Sequence, residues 1–460
     1  MEDVSIEGKW WIFGAEAPPQ FGALTNSDGL RLSVKVPQDL SIGETMGEPV
    51  RFGQDTSVPE IIVGRNAHNR PVTLFGCFAL PAISAGLKTY DIQAIAGVEG
   101  LEFETWGEKG IFAASLDIEM LHSWLGDKVL KQSTIEGGES VWSEISAKDL
   151  VVDVTPEIQM RIVRFVAISE EWSEYRFSGK PRVWLHFKFP QSLYDVSNRW
   201  IPFVVRFFSL LVGVGLRYNA VEVYKDDPYA PNFEGLPVEG TIIRSRQARR
   251  TKKEIITPFM LASYPRIATQ FTEIVQKWAE VDSKLGPVID LFAIVALRDR
   301  RLHADAEFLF LVQALEVYHA RMFDSKALPT EEHRRRVDAI VDAAPEALRN
   351  WTLRKLRFGN YKYLDERIAE VFQRHEDEAR QLFDDVEQLP EKIRYTRNHL
   401  THHSADIDSP KYLKAPAMAQ VNFYLRVFLW VCLLKETGAP RDAINRLIGK
   451  HRDAKFVNLS

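Results

Sequence analysis

Residues 391–404 read Glu-Lys-Ile-Arg-Tyr-Thr-Arg-Asn-His-Leu-Thr-His-His-Ser, with Leu389-Pro390 just ahead of them. Proline is tolerated in the first turn of a helix, where its missing N–H would have had no partner, so a helix is predicted to start near Pro390. On that helix Ile393 and Leu400 face a core, while Arg394, Asn398 and His402, spaced four apart, lie along one neighbouring strip. Arg397 precedes His402 by five residues. It therefore lies about 140° away around the helix, and its long side chain has to bend to share a ligand with the histidine.

An arginine, an amide and several imidazoles within a few turns suit phosphate chemistry. A guanidinium grips phosphate with a rigid fork of donors and stabilises charge that builds on it. An imidazole gives or takes a proton at working pH. Those two jobs are what an RNA 2′-OH needs to attack its adjacent phosphate, a reaction that requires no metal. A solvated basic helix face accounts for the same residues, and patterns this short also arise by chance.

From about residue 257 to the end, apolar residues recur at helical spacing. Helices are predicted at 259–284, 287–299, 305–323, 331–343, 365–386, 390–403, 412–436 and 440–449. Phe308, Leu311, Val312, Leu315 and Met322 make one apolar stripe, and Leu425, Phe428, Leu429 and Cys432 another, as bundle helices do. Glu316 follows Ala314-Leu315, near the part of the stripe that should be buried. A buried carboxylate needs a cation, and Arg397 is a candidate, which would let Glu316 hold Arg397 or His402 in place. An exposed Glu316 is the other reading.

Residues 1 to about 190 instead alternate strand-like runs, such as GKWWIFGA, LRLSVKVP, PVTLFGCFAL and RVWLHFKF, with turn signals. An apolar helix over about 190–217 and strands around Val221–Tyr224 and Gly240–Ile243 follow. Then comes a ten-residue run with six basic side chains, Arg244, Arg246, Arg249, Arg250, Lys252 and Lys253. It is either a solvated linker or an electrostatic landing strip for an RNA backbone. The predicted class is an α+β multidomain chain: a β-rich N-terminal domain with a helical insertion and basic linker (1–256), connecting helices (257–303) and an all-α bundle (304–460).

An apolar content of 45% with 26% charged residues is ordinary for a globular chain. The net charge of −5 provides no overall attraction to nucleic acid, so any RNA contact has to come from local basic patches. Two distant cysteines, Cys77 and Cys432, allow neither a disulfide framework nor a cysteine zinc site, which suits a reducing cytoplasm. The acidic start MEDVSIEGKWW is not expected to be a signal peptide. Trp200–Leu216 and Val421–Leu434 are short for a bilayer and carry Arg206 and Arg426, so both are expected to be core helices and no membrane association is expected.

Other motifs fail. His375-Glu376 starts a metalloprotease-like pattern, but Ala379 occupies the place of its second histidine. Gly213-Val-Gly215 has Tyr218 where a third glycine is needed, and Glu316 with His319 supplies one Glu-x-x-His unit where a di-iron site needs two. His303, His333 and His375 stand isolated and are expected at the surface. No cofactor or metal is expected.

The run Arg397-Asn398-x3-His402 resembles the R-x4-H motif of HEPN ribonuclease domains, including the polar residue after the arginine. Glu307–His319 is similar to the first long helix of the ApeA-type branch of that family. Gly8-Lys-Trp10, Gly22-Ala-Leu24, Ile61-Ile-Val-Gly64 and Pro71–Cys77 resemble the opening of ApeA N-terminal domains. The resemblance implies an all-α HEPN bundle and a metal-independent endoribonuclease in which two copies of the motif meet at a homodimer cleft, or in a higher homo-oligomer. Its catalytic residues would be Arg397, His402 and Asn398, with Glu316, His399 and Arg394 in supporting positions.

The frame Arg394–His399 also fits R-x4-H; Arg397–His402 is preferred because Asn398 follows its arginine, whereas Tyr395 follows Arg394. His403 is a spectator or a helper. The resemblance further implies an anti-phage, abortive-infection effector that cuts host RNA, tRNA being one candidate; how it is controlled does not follow from it, and the β-rich N-terminal domain is expected to sense a phage component, such as a phage protein, or to restrain the HEPN dimer. Ser404 stands where HEPN toxins silenced by nucleotidyltransferases carry a modified tyrosine, so that form of control is not implied. The competing implication is a non-catalytic module that binds RNA or a nucleotide.

Overall fold

The computed structural model describes residues 5–12, 19–26, 29–35, 61–80, 89–126, 130–134, 140–144, 148–164, 166–171, 174–229, 236–244, 255–297, 302–357, 359–402 and 409–454. It divides into two units, residues 1–208 with 216–259, and residues 209–215 with 260–460. In chain order the first unit ends at Phe259 and the second resumes at Met260.

In the first unit, fourteen of the described strands form one antiparallel sheet. Part of it closes on itself. Ser5–Ile12 pairs with Gln20–Thr25 and with Ile61–Asn66; Gln20–Thr25 pairs with Leu30–Lys35, and Ile61–Asn66 with Pro71–Phe75. The circuit is completed around Ile95: Thr89–Ala94 pairs with Leu30–Lys35, and Ala96–Glu99 with Pro71–Phe75. Trp10, Leu24, Leu30, Leu32, Ile62, Val72, Leu74 and Ile92 are buried together in the resulting core.

Gly64 stands opposite Trp10 in the register, where a Cβ would come within 2.4 Å of the indole, and Trp10 Nε1 donates to the Gly22 carbonyl at 3.1 Å. The Gly/Trp pattern of the N-terminal sequence is therefore a packing device, with glycine clearing the space the indole fills. Beyond Ala96–Glu99 the sheet continues through Glu239–Ile243, Tyr218–Tyr224, Lys109–Ile118, Arg182–Ser192, Ile158–Val163 and Leu150–Thr155. Helix α1 (Ile201–Val212) follows, with Trp200 against Phe187 and Phe208 against Trp124.

The second unit contains α2 (Phe271–Ala296), α3 (Ala304–Met322), α4 (Thr330–Ala343), α5 (Glu346–Leu356), α6 (Leu364–Arg374), α7 (Glu376–Leu382), α8 (Leu389–His402), α9 (Ala415–Glu436) and α10 (Arg441–Ala454). Three assignments differ from expectation by more than their end residues. The helices predicted at 259–284 and 287–299 are one kinked helix, α2, bent at Leu285 because Pro287 has no N–H to give the preceding turn. The helix predicted at 365–386 is broken at His375. Helix α5 was not predicted; it buries none of its residues, so its sequence carries little of the apolar periodicity that marks a core-facing helix.

Helix α9 packs on α2 and α3. It is the one described helix long and apolar enough to cross a membrane, and 67% of that apolar window is buried inside the protein. Cys432 and Cys77 are both buried free thiols. At the other side of α9 the Glu378 carboxylate, fully buried, accepts from Lys435 Nζ at 3.0 Å and from Arg441 Nη1 at 2.6 Å, so its charge is compensated where water is excluded.

His375, expected at the surface, is buried at 2% exposure. Tyr318 donates its hydroxyl proton to Glu436 Oε1 at 2.7 Å, so the 3.0 Å contact with His375 Nε2 requires the imidazole to be the donor. Burial, with the nearby Lys435 charge adding to it, pushes the His375 pKa down from 6.5 to about 4. Between those values the unfolded chain binds a proton that the folded chain refuses. The associated stability, about 3 kcal/mol in full, is present above pH 6.5 and is lost as pH falls towards 4. Urea midpoints measured down this range should fall, and His375→Gln should flatten the fall; a wild-type midpoint independent of pH would contradict this account.

Candidate active site

Helix α8 starts one residue before Pro390 and buries Leu389, Pro390, Ile393 and Thr396. Leu400, expected in the core, is half-buried. Its polar residues therefore sit on the flank and at the C-terminal end of a helix that is anchored by its first two turns. Thr396 strengthens the anchor: its buried hydroxyl accepts the Leu413 N–H at 2.9 Å, pinning the segment before α9 onto α8. That contact sets Tyr412 edge-on to the His399 ring, centroids 4.8 Å apart. Thr401 closes the helix end by donating to the Arg397 carbonyl at 2.9 Å.

Arg397 leans towards α3. Its Nη2 lies 3.8 Å from Glu316 Oε2, and its Nη1 donates to Asn398 Oδ1 at 3.4 Å. The other Glu316 oxygen lies 3.8 Å from Arg367 Nη1 on α6. Two guanidiniums thus share one carboxylate at distances longer than a close charge-assisted hydrogen bond, so positive charge is left over for a ligand. His402 is exposed at the end of the helix, with no hydrogen bond, ion pair or ring contact to another described residue.

Arg394 is placed differently. Its Nε donates to Asp365 Oδ2 at 2.9 Å, a close ion pair at the start of α6. The two frames of the R-x4-H pattern therefore have unequal surroundings: Arg394 is tied in an ion pair and His399 packs on an aromatic ring, whereas Arg397 is loosely paired and His402 is open. His319, the partner of Glu316 in the lone Glu-x-x-His unit, is buried and faces away to Glu370 at 2.7 Å. Its pairing, together with Lys362 at 2.6 Å, holds the Glu370 carboxyl below its usual range despite burial. Among the described residues no group of three His, Cys, Asp or Glu is arranged to hold a metal ion.

Of the basic run, Arg244 is directed inward: its Nη2 donates to the Ser197 carbonyl at 3.1 Å. Arg246, Arg249, Arg250, Lys252 and Lys253 lie outside the described residues, as do His403 and Ser404. Arg367 and Asp365, which frame the motif helix, were not singled out in the sequence. Nothing in the spacing of Leu364–Arg374 links them to residue 397; the link is made by the packing of α6 against α3 and α8.

Residues 309–443, which include α8, match the family model described as Apea-like HEPN, and residues 5–278, more than half of the chain, match that described as ApeA N-terminal domain 1. The chain belongs to the ApeA family. Its two matched regions give the β-rich-then-helical order of the structure, and the Apea-like HEPN domain places the chain among anti-phage effectors of a domain class made up generally of nucleases. No curated protein and no solved structure matches the chain.

Removing the Thr396 acceptor tests the anchoring of this ApeA-family motif helix. Thr396→Val keeps the shape but leaves the Leu413 N–H buried and unpaired, which should cost about 1–3 kcal/mol of unfolding free energy. Hydrogen exchange at Leu413 should quicken with it. Unchanged exchange would show that the hydroxyl does not hold the segment.

Proposed function

We propose that the protein is a metal-independent endoribonuclease, acting as an anti-phage effector on host RNA, with Arg397 and His402 as its central catalytic pair. The observation that supports it most is the inequality of the two frames: Arg397 is oriented by Glu316 yet retains unsatisfied charge, and His402, on the same helix, is exposed to solvent. A ribonuclease needs such groups available, whereas Arg394 has already spent its charge on Asp365.

In this reading an RNA phosphate binds against the Arg397 fork. A base removes the proton from the ribose 2′-OH, whose oxygen attacks phosphorus. Negative charge then builds on the non-bridging oxygens, where the guanidinium stabilises it. The bond to the 5′-oxygen breaks, and an acid returns a proton to that oxygen, leaving a 2′,3′-cyclic phosphate and a 5′-hydroxyl. Base and acid are separate roles on opposite sides of the phosphorus, and the chain carries one His402. Two copies related by a two-fold axis would supply both, so a homodimer belongs to the mechanism. Asn398 positions Arg397, Glu316 orients it from the other side, and the N-terminal unit senses or restrains.

The reading is tested in cells carrying the wild type, Arg397→Ala, His402→Ala or Arg394→Ala. Phage protection and RNA cleavage should both vanish, by at least about 100-fold, in the first two variants while these stay folded and dimeric. Arg394→Ala should retain RNA cleavage better than either. Protection that survives Arg397→Ala and His402→Ala would move the function to RNA binding or to the N-terminal unit.

A further inference from the structure

Arg367 and the residues just before it form a surface that the motif does not include. Arg367 Nε donates to the Lys362 carbonyl at 2.9 Å, which fixes the guanidinium while its Nη1 faces the carboxylate that also faces Arg397. Tyr363 caps the start of α6, and the Arg367 N–H donates to its carbonyl at 3.1 Å, while the Arg367 side chain turns back to the carbonyl of Lys362, the residue before Tyr363. Tyr363 is 73% exposed, more than any other described Phe, Tyr or Trp, and Tyr361 is 50% exposed. Between Tyr363 and Arg367, Asp365 ties the start of α6 to the motif helix through Arg394.

Two exposed tyrosines two residues apart, Tyr361 and Tyr363, offer aromatic faces to a ligand. The local charge indicates its sign. Residues 346–363 carry five basic side chains (Arg349, Arg354, Lys355, Arg357 and Lys362, the last paired with Glu370) against one acidic (Glu346), within a chain whose net charge is −5; of the two acids that follow, Asp365 is paired with Arg394 and Glu366 accepts the Tyr363 N–H. Rings interleaved with cations are the means by which proteins hold unpaired nucleotides, the bases stacking on the rings while the backbone follows the charges.

We infer that Tyr363 and Arg367, with Tyr361, extend the Arg397 site into a binding track for single-stranded RNA. This rests on the reading of Arg397 as a phosphate-binding residue. A base flanking the cleaved bond stacks on Tyr363, and its phosphate is held by Arg367, the second guanidinium on Glu316. A duplex keeps its bases stacked inside and offers nothing to the ring, so the track selects loops and unpaired segments.

The test uses full-length protein and a short fluorescein-labelled 2′-O-methyl RNA strand, which has no 2′-OH to attack, read by anisotropy. Cleavage of the unmodified strand is followed in parallel. Tyr363→Ala should weaken binding at least about fivefold and Tyr363→Phe should not, because stacking needs the ring alone. Arg367→Ala should weaken it and reduce the salt dependence by about one phosphate contact. A hairpin duplex of the same composition should bind more weakly than the strand.

Unchanged affinity of Tyr363→Ala, or equal affinity for the duplex, overturns the track; with wild-type cleavage intact, the nuclease reading would stand without it. Binding with the predicted dependence but no cleavage by any form sustains the track and removes the nuclease reading. A wild type that neither binds nor cleaves removes both. A Tyr363→Ala variant with normal RNA affinity and an altered sedimentation coefficient assigns the surface to a protein contact, and likewise overturns the proposal.

Discussion

One half-buried carboxylate organises the helical unit around its motif. Glu316 projects from α3 between Arg367 of α6 and Arg397 of α8, and it is the group through which three helices agree on where the motif arginine points. Neither contact is short, and each side chain is partly wet, so the bridge contributes little to stability. Its importance lies in geometry. A guanidinium that is steered but not neutralised is a ready phosphate ligand, whereas a closer pairing, such as that of Arg394 with Asp365, would have to be broken before a phosphate was bound. The strong anchoring is done elsewhere, by apolar burial along the first two turns of α8 and by the Thr396 hydroxyl.

The parts of the fold that follow from local periodicity were legible in the sequence. The change from alternating to helical spacing near residue 257 lies close to the boundary of the two units at Phe259. The Leu389-Pro390 pair marks the start of α8, and the stripe through Phe308, Leu311, Val312 and Leu315 is buried as its spacing requires. What was not legible depends on contacts between distant residues. His375 reads as an isolated polar residue until Tyr318, fifty-seven positions away, is seen to accept its hydrogen bond. Helix α5 escaped notice because it buries no side chain. The closed circuit of the N-terminal strands could not be foreseen, because it depends on residues 89–99 pairing first with one strand and then with another on the far side.

The candidate site shows the same division. Arg397, Asn398 and His402 stand out because of their chemistry and spacing, and Glu316 because a carboxylate is out of place on an apolar stripe. Arg367, Asp365 and Tyr363 carry no such mark; they gain meaning only because α6 packs beside α8. A short motif names the groups that can act, and tertiary packing determines which are already occupied. Here packing occupies Arg394 and leaves Arg397 and His402 available.

The measurement that tests the central claim most directly is the chemical nature of the RNA ends made by purified full-length protein. Cleavage by 2′-OH attack predicts fragments ending in a 2′,3′-cyclic phosphate and a 5′-hydroxyl. It also predicts no cleavage of a strand whose ribose at the cut site lacks the 2′-OH, and no cleavage by Arg397→Ala or His402→Ala. Fragments with 3′-hydroxyl and 5′-phosphate ends, or equal cleavage by the His402→Ala protein, would contradict the account.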